Sequence, residues 1–245
     1  MGITIAQLSD ITGWDCCGQD IDHAEIFYVQ ILDSSSSLPD HRVLYIGSAQ
    51  AFYNCPHKPQ NFCCIHSESK PICPGVNQIF APRQMSAEDT LQTLLDAVER
   101  QNYVDQCILK LYRALNDHKG IQHILEVGVQ IFKNAVLFID HSFKLLGCAA
   151  PENTTSRFYV ETKKRGYFPS DYIFDEIAPD TEVHRKIFNS DKPQVFSYAV
   201  DNSCYISFKV DGVSAPIGFA TLLESNHPFS ETDPQIFDVF CKVLS

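Results

Sequence analysis

Apolar residues recur along this chain in two rhythms, and the change from one to the other divides it into parts. Residues 86–116 carry apolar side chains three and four positions apart with no Gly or Pro among them, which predicts an amphipathic helix. Leu91, Leu94, Leu95 and Val98 form one stripe. Val104, Ile108, Leu111 and Leu115 form a second, offset across Gln101-Asn102. Ser86 is placed to cap the first turn, where Glu88 and Asp89 put negative charge against the helix dipole. At 1.5 Å per residue the helix is a rod of about 45 Å, long enough to expect a packing partner. That partner is either the rest of the same chain or a second copy meeting it along the stripe.

Before this helix the runs are short. Thr4 is a cap for a helix through Ile11. Ile26–Leu32, Val43–Ile46, Phe62–His66 and Gln78–Phe80 are β-branched or aromatic segments bounded by Ser, Pro, Gly or Asn, and each predicts a strand. Ser34–Ser37 with Pro39, and Asn54–Gln60 with its prolines, predict loops. The strand order is not readable from such runs, so the expectation stops at a small α/β or α+β module over residues 1–84.

After the long helix the order is more specific. Ile121, Ile124, Leu125, Gly128, Val129 and Phe132 keep helical spacing, and Val136–Ile139 and Phe143–Cys148 flank the turn Asp140-His141-Ser142. Helix-like runs at Ser156–Gly166 and Thr181–Asn189 follow, then a strand over Val195–Tyr198. Tyr205–Val210 and Ile217–Glu224 flank Asp211-Gly212, a strong hairpin signal. Ser230 with Asp233, and Pro234 in the first turn, open a further helix. The expected division is therefore 1–84, a linker helix at 85–118, and a second domain at 119–245, all of class α+β.

Composition narrows the function classes. The chain has 245 residues, 44% of them hydrophobic, and a formal net charge of −11. Its longest basic run is Lys163-Lys164-Arg165. Such a surface repels a phosphate backbone, so no nucleic-acid contact by this part of a protein is expected. No stretch approaches the ~20 apolar residues of a membrane helix, and Met1–Ile5 has neither the basic start nor the apolar core of a signal peptide. A cytoplasmic protein without membrane contact is the expectation.

The 10 cysteines are then expected to be reduced thiols. Cys107, Cys148, Cys204 and Cys241 sit in apolar patterns and read as small core residues. Cys16, Cys17, Cys55, Cys63, Cys64 and Cys73 crowd the first third beside His57 and His66. A zinc site would want pairs such as Cys-x2-Cys, whereas the spacings here are Cys-Cys, Cys-x-His and Cys-x2-His. Cys63 and Cys64 would also face opposite sides of a strand. No metal or cofactor is expected, with a redox or metal sensor in this cluster as an alternative.

Catalytic patterns are missing from the sequence: there is no Gly-x-Ser-x-Gly, no His-Glu-x-x-His and no glycine-rich phosphate loop. His118 and His123 flank a helix start, and nothing beside Cys204 would lower its pKa. The expectation is a protein that is not an enzyme. The aromatic density of residues 157–198, with basic residues interleaved, suits a pocket that is apolar with a few placed polar groups. The candidate ligand contacts are Arg157, Tyr159, Tyr167, Phe168, Tyr172, Phe174, His184, Phe196 and Tyr198. Lys163, Arg165 and Arg185 lie among them.

The order helix, hairpin, helical insertion, three strands, helix resembles a GAF domain, a relative of PAS. Its loose markers are Asn134–Asp140, Asp191–Val195, Ile217–Ala220 and Phe229–Asp233. That resemblance implies a central antiparallel sheet with helices on one face and a ligand cavity on the other. Ile3–Leu8, Leu44–Gly47, Asn61–Ile65 and Asn77–Phe80 resemble the N-terminal domain of PucR-like transcription regulators, the purine-catabolism and sugar-diacid regulator type. There a sensory domain and a GAF-like domain precede a DNA-binding helix-turn-helix, and this sequence stops where that domain should begin. The resemblance implies the effector-sensing and dimerisation region of a regulator. It would bind a small metabolite and pair through the 86–116 helix. An interaction module with a filled cavity is the alternative.

Overall fold

The computed structural model describes residues 2–32, 39–65, 73–168, 182–197 and 204–245. It is an α+β protein. The chain divides into two compact units, Met1–Asp105 and Gln106–Ser245.

The first unit opens with strand β1 (Ile3–Thr4) and helix α1 (Ile5–Thr12). Thr4 makes a capping box: its Oγ1 accepts from the Gln7 N–H, and the Gln7 Oε1 accepts from the Thr4 N–H. Gly13, at φ 70°, ends the helix in the left-handed region where glycine carries no Cβ penalty. Strands β2 (Cys16–Cys17), β4 (Tyr28–Ile31), β5 (Val43–Ser48), β6 (Asn61–Ile65) and β7 (Asn77–Phe80) build one sheet in the order β2-β7-β6-β5-β4. β4 to β7 run parallel, and β2 joins antiparallel at the edge. The short β3 (Glu25–Ile26) pairs with β1 instead.

Parallel strands covered on both faces lose the polar alternation of a half-exposed strand. β6 and β7 are accordingly buried at every position. One face packs Ile46, Cys63 and Ile79 against Leu8 of α1 and against Leu94 and Val98. The other packs Tyr45, Phe62, Cys64 and Phe80 against Phe52 of α2 (Ala49–Asn54), a helix the sequence pattern did not single out. Cys63 and Cys64 do lie on opposite faces. No group of three or more His, Cys, Asp or Glu that could hold a metal occurs among the described residues.

Helix α3 (Ala87–Asn116) is continuous through Gln101-Asn102. Ser86 caps it, its Oγ accepting from the Asp89 N–H at 3.0 Å. Half of the apolar stripe read as a possible seam is buried in the protein's own fold, at Leu94, Val98, Val104 and Leu111, while Leu95 and Leu115 stay exposed. Leu109 and Tyr112 of α3 are exposed as well. Among the described residues no helix is long and apolar enough to cross a membrane.

The second unit holds α4 (Ile121–Phe132) and one antiparallel sheet. Its strands are β8 (Ala135–Asp140), β9 (Leu145–Ala149), β10 (Gln194–Ser197), β11 (Cys204–Asp211) and β12 (Pro216–Leu223). Their order is β10-β11-β12-β8-β9. Chain order places the hairpin β8–β9 at one side and returns the last strand to the centre against β8, so both edges are short.

Alternation sorts the strand residues between faces. Ala135, Leu137 and Ile139 of β8 join Phe219 and Leu223 of β12 on one side. On the other side a side chain at Gly147 would meet Leu125 of α4, and one at Gly128 would press within 2.6 Å of the Phe240 ring. Phe240 belongs to the last helix, Asp233–Leu244. α4 and this helix thus cover one face, sealed by Phe132, Phe237 and Phe240 with ring centroids 5.6–5.9 Å apart.

Two polar devices fix the connections. The Asp140 carboxylate accepts from the backbone N–H groups of Ser142 and Lys144 and from the Ser142 hydroxyl, closing the β8–β9 turn. Burial alone would raise this carboxyl. The hydrogen bonds from Ser142 and Lys144 outweigh it and hold the group below its ordinary value. Asn134 is fully buried, and its Oδ1 accepts from the N–H groups of Ser225, Asn226 and His227. Its Nδ2 donates to the His227 carbonyl. One side chain so ties the start of β8 to the segment that leads into the last helix. The β11–β12 connection is wider than a two-residue Asp-Gly turn. It runs over Gly212–Ala215, closed by the Gly212 N–H to the Ala215 carbonyl, with a bulge at Val210/Asp211.

Candidate ligand-binding site

The face of the second sheet away from α4 is covered by the insertion between β9 and β10. Helix α5 (Arg157–Arg165) is capped by the Ser156 hydroxyl and stopped by left-handed Gly166. The helix Glu182–Asn189 brings Ile187, fully buried, onto the same face. Aromatic rings dominate the contact. Phe168 lies edge-on to Phe158 at 5.0 Å and to Phe219 at 5.6 Å. Phe188 meets Phe219 at 5.8 Å, and Phe196 stacks on Tyr205 at 5.3 Å. Edge-to-face pairs at these separations add directional attraction to area burial.

The structure brings together some of the expected contacts. Tyr159 and Phe168 are buried, and with Phe196 they join one cluster. His184 lies at its rim, 4.7 Å from the Phe188 ring, which also stacks with His141 at 5.4 Å. Arg157 is not in the cluster. Two positions before Tyr159 it projects about 200° around the helix, and its side chain, 80% exposed, pairs with Glu161 at 2.7 Å. Tyr167 is half exposed, because it precedes Phe168 in a bridged extended segment and faces the other way. Tyr172, Phe174 and Tyr198 lie outside the described residues.

Polar atoms sit inside this apolar face, and of the residues that carry them the sequence pattern singled out Tyr159 but not Ser207, Thr221 or Thr162. Ser207 and Thr221 are both fully buried and pair across β11 and β12, with their hydroxyl oxygens 2.8 Å apart. They share the face of Tyr205 and Phe219 by strand alternation. The Tyr159 hydroxyl donates to Cys148 Sγ at 3.7 Å. Burial first, then that contact, pushes the Tyr159 phenol well above its ordinary value, so it stays a neutral donor. Thr162 is one turn beyond Tyr159 on the same side of α5 and is fully buried. Its Oγ1 has no hydrogen-bond partner among the described residues. The signal for Ser207 and Thr221 was present in the sequence as hydroxyl residues in the middle of apolar strands.

Hydroxyls and a thiol can donate and accept hydrogen bonds. An orphan buried hydroxyl costs about 1–3 kcal/mol, which a polar group arriving in the site would recover.

No family model matches this chain, and no curated protein matches it. Among solved structures it is similar to the chromophore-binding domain of an unusual bacteriophytochrome from R. palustris, at 10% identity and a TM-score of 0.38. The alignment covers 60% of this chain and 59% of that one, so the chain spans about three-fifths of that protein's length. Likeness at this level carries no argument about function.

Proposed function

We propose that this chain is the effector-sensing and dimerisation region of a transcription regulator, and that its second unit binds a small metabolite without transforming it. The reading rests on one observation above all: the buried Thr162 hydroxyl, unpartnered among the described residues, on a face that also buries Ser207 and Thr221 among aromatic rings. An apolar wall with a few placed polar groups is the general form of a small-molecule site. The metabolite would act by population shift, binding two arrangements of paired chains with different affinity. In this reading α3 pairs the chains in the cytoplasm through its exposed Leu95, Leu109, Tyr112 and Leu115. DNA contact belongs to a separate domain, since a net charge of −11 repels a phosphate backbone.

A thermal-shift screen of purines, sugar acids and amino acids tests the proposal. At a hundredfold excess over Kd a ligand adds about 2.7 kcal/mol, a rise of several degrees. No stabilisation by any class contradicts the proposal. That outcome would favour a filled interaction module, the reading to which the close ring packing of Phe158, Phe168, Phe188 and Phe219 lends support.

A further inference from the structure

The β9–α5 connection and α5 enclose an open cleft of about 490 Å³, a size that suits a small organic molecule. Ala150, Pro151 and Val160 give it apolar walls, and Val160 is half exposed with no other evident role. Lys163 and Lys164 line it together with the single carboxylate of Glu152. The charge balance on α5 leaves these lysines available. Glu161 is engaged by Arg157 at 2.7 Å and by Arg165 at 3.3 Å. Neither lysine makes an ion pair among the described residues. The Lys163 ammonium is held 5.7 Å from the centroid of the Tyr159 ring, and that contact limits the side-chain freedom a ligand would otherwise have to remove.

We propose that this cleft binds an organic carboxylate, its charged end at Lys163 and Lys164 and its apolar body along Ala150, Pro151 and Val160. The inference rests on the reading that the insertion receives a small molecule, and it adds the ligand's chemical class. Two cations against one carboxylate make a local positive excess on a chain of net charge −11, which selects an anion. Arg157 and Arg165 are taken by Glu161, so the cations left are lysine point charges; charge selects an anion, and the apolar walls of Ala150, Pro151 and Val160 select one with an organic body.

The test is a titration of the 15N-labelled full chain, followed by amide NMR, with benzoate and with its neutral isostere benzamide. Benzoate is expected to bind in the millimolar range and to shift the amides of residues 150–154 and 158–164. Benzamide is expected to bind at least about fivefold more weakly, the scale of an exposed charge contact. Lys163→Gln and Lys164→Gln should each weaken benzoate by about two- to fivefold and leave benzamide and the melting temperature unchanged. Equal binding of the two probes, or indifference of benzoate to both substitutions, overturns the inference. So does the absence of shifts at 150–164. If both probes instead shift Ser207 and Thr221 alike, the cleft is excluded while metabolite binding by the second unit stands. If neither probe binds and the wider screen stabilises nothing, both fall.

Discussion

The two sheets handle buried polar groups in opposite ways. In the first, each buried polar side chain within the strands is a fixture. The Asn77 Nδ2 donates to the Asn61 Oδ1 at 3.0 Å, the Asn61 Nδ2 donates to the His41 carbonyl, and Gln78 donates to the carbonyls of Cys73 and Val76. These groups tie strand ends to loops, and both faces are otherwise apolar. In the second sheet the buried Ser207 and Thr221 hydroxyls sit mid-strand and pair only with each other, and the insertion that covers the sheet carries a Thr162 hydroxyl with no partner among the described residues. A polar group that holds the fold together has its bonds completed by the fold. One that serves a ligand is left with capacity to spare. That difference is the physical basis for placing recognition in the second unit.

The contrast can be broken most forcefully from the first unit. Phe62 is fully buried against Phe52, with ring centroids 4.9 Å apart. Phe62→Ala should cost about 3–5 kcal/mol in urea unfolding, yet leave ligand-induced stabilisation of the second unit in place. Loss of that stabilisation without global unfolding would erase the distinction between the units. Asn134→Ala is next. It removes the acceptor of three backbone N–H groups and should cost about 2–3 kcal/mol. A loss below about 0.5 kcal/mol would show that water replaces the amide at no cost.

Thr162→Val has the opposite sign. Replacing a buried, unpartnered hydroxyl by a methyl of the same shape should stabilise the ligand-free protein by about 1 kcal/mol. Destabilisation would mean that the hydroxyl is bonded within the protein and is not kept for a ligand. The smallest effect concerns Asp140. Its folded pKa is depressed, so its contribution is fully present above the unfolded value of about 4 and is lost as pH falls through the folded value. The urea midpoints of the wild type and Asp140→Ala should therefore differ above pH ~5 and converge in acid. A gap that is constant with pH would show that the turn does not depend on the charge.

Much of the architecture was legible in the residue pattern because it is local. The Thr4 and Ser86 caps and the unbroken run of α3 need only neighbouring residues to specify them. So does the Asp140 turn. The order of the first sheet was not legible, since β4 to β7 are parallel strands brought together by long connections, and burial on both faces removes the alternation that marks a strand's side. α2, six residues long, is too short for a helical period to emerge. The α3 stripe was visible, but periodicity records which face is apolar and not what covers it, so own-chain packing and a seam look alike.

The site divides along the same line. The aromatic wall was legible as composition, and Tyr159, Phe168 and Phe196 do meet. The geometry of α5 sends Arg157 away from them. The pairing of Ser207 with Thr221 depends on the register of β11 against β12, which no single strand's sequence contains.

A Thr162 hydroxyl reserved for a bound molecule is what separates a ligand site from a filled core. The most direct test is isothermal titration of the strongest compound from the metabolite screen against the wild type and Thr162→Val. The account predicts tighter binding to the wild type by about 1–2 kcal/mol, the value of one buried hydrogen bond. Equal affinity for the two proteins would contradict it.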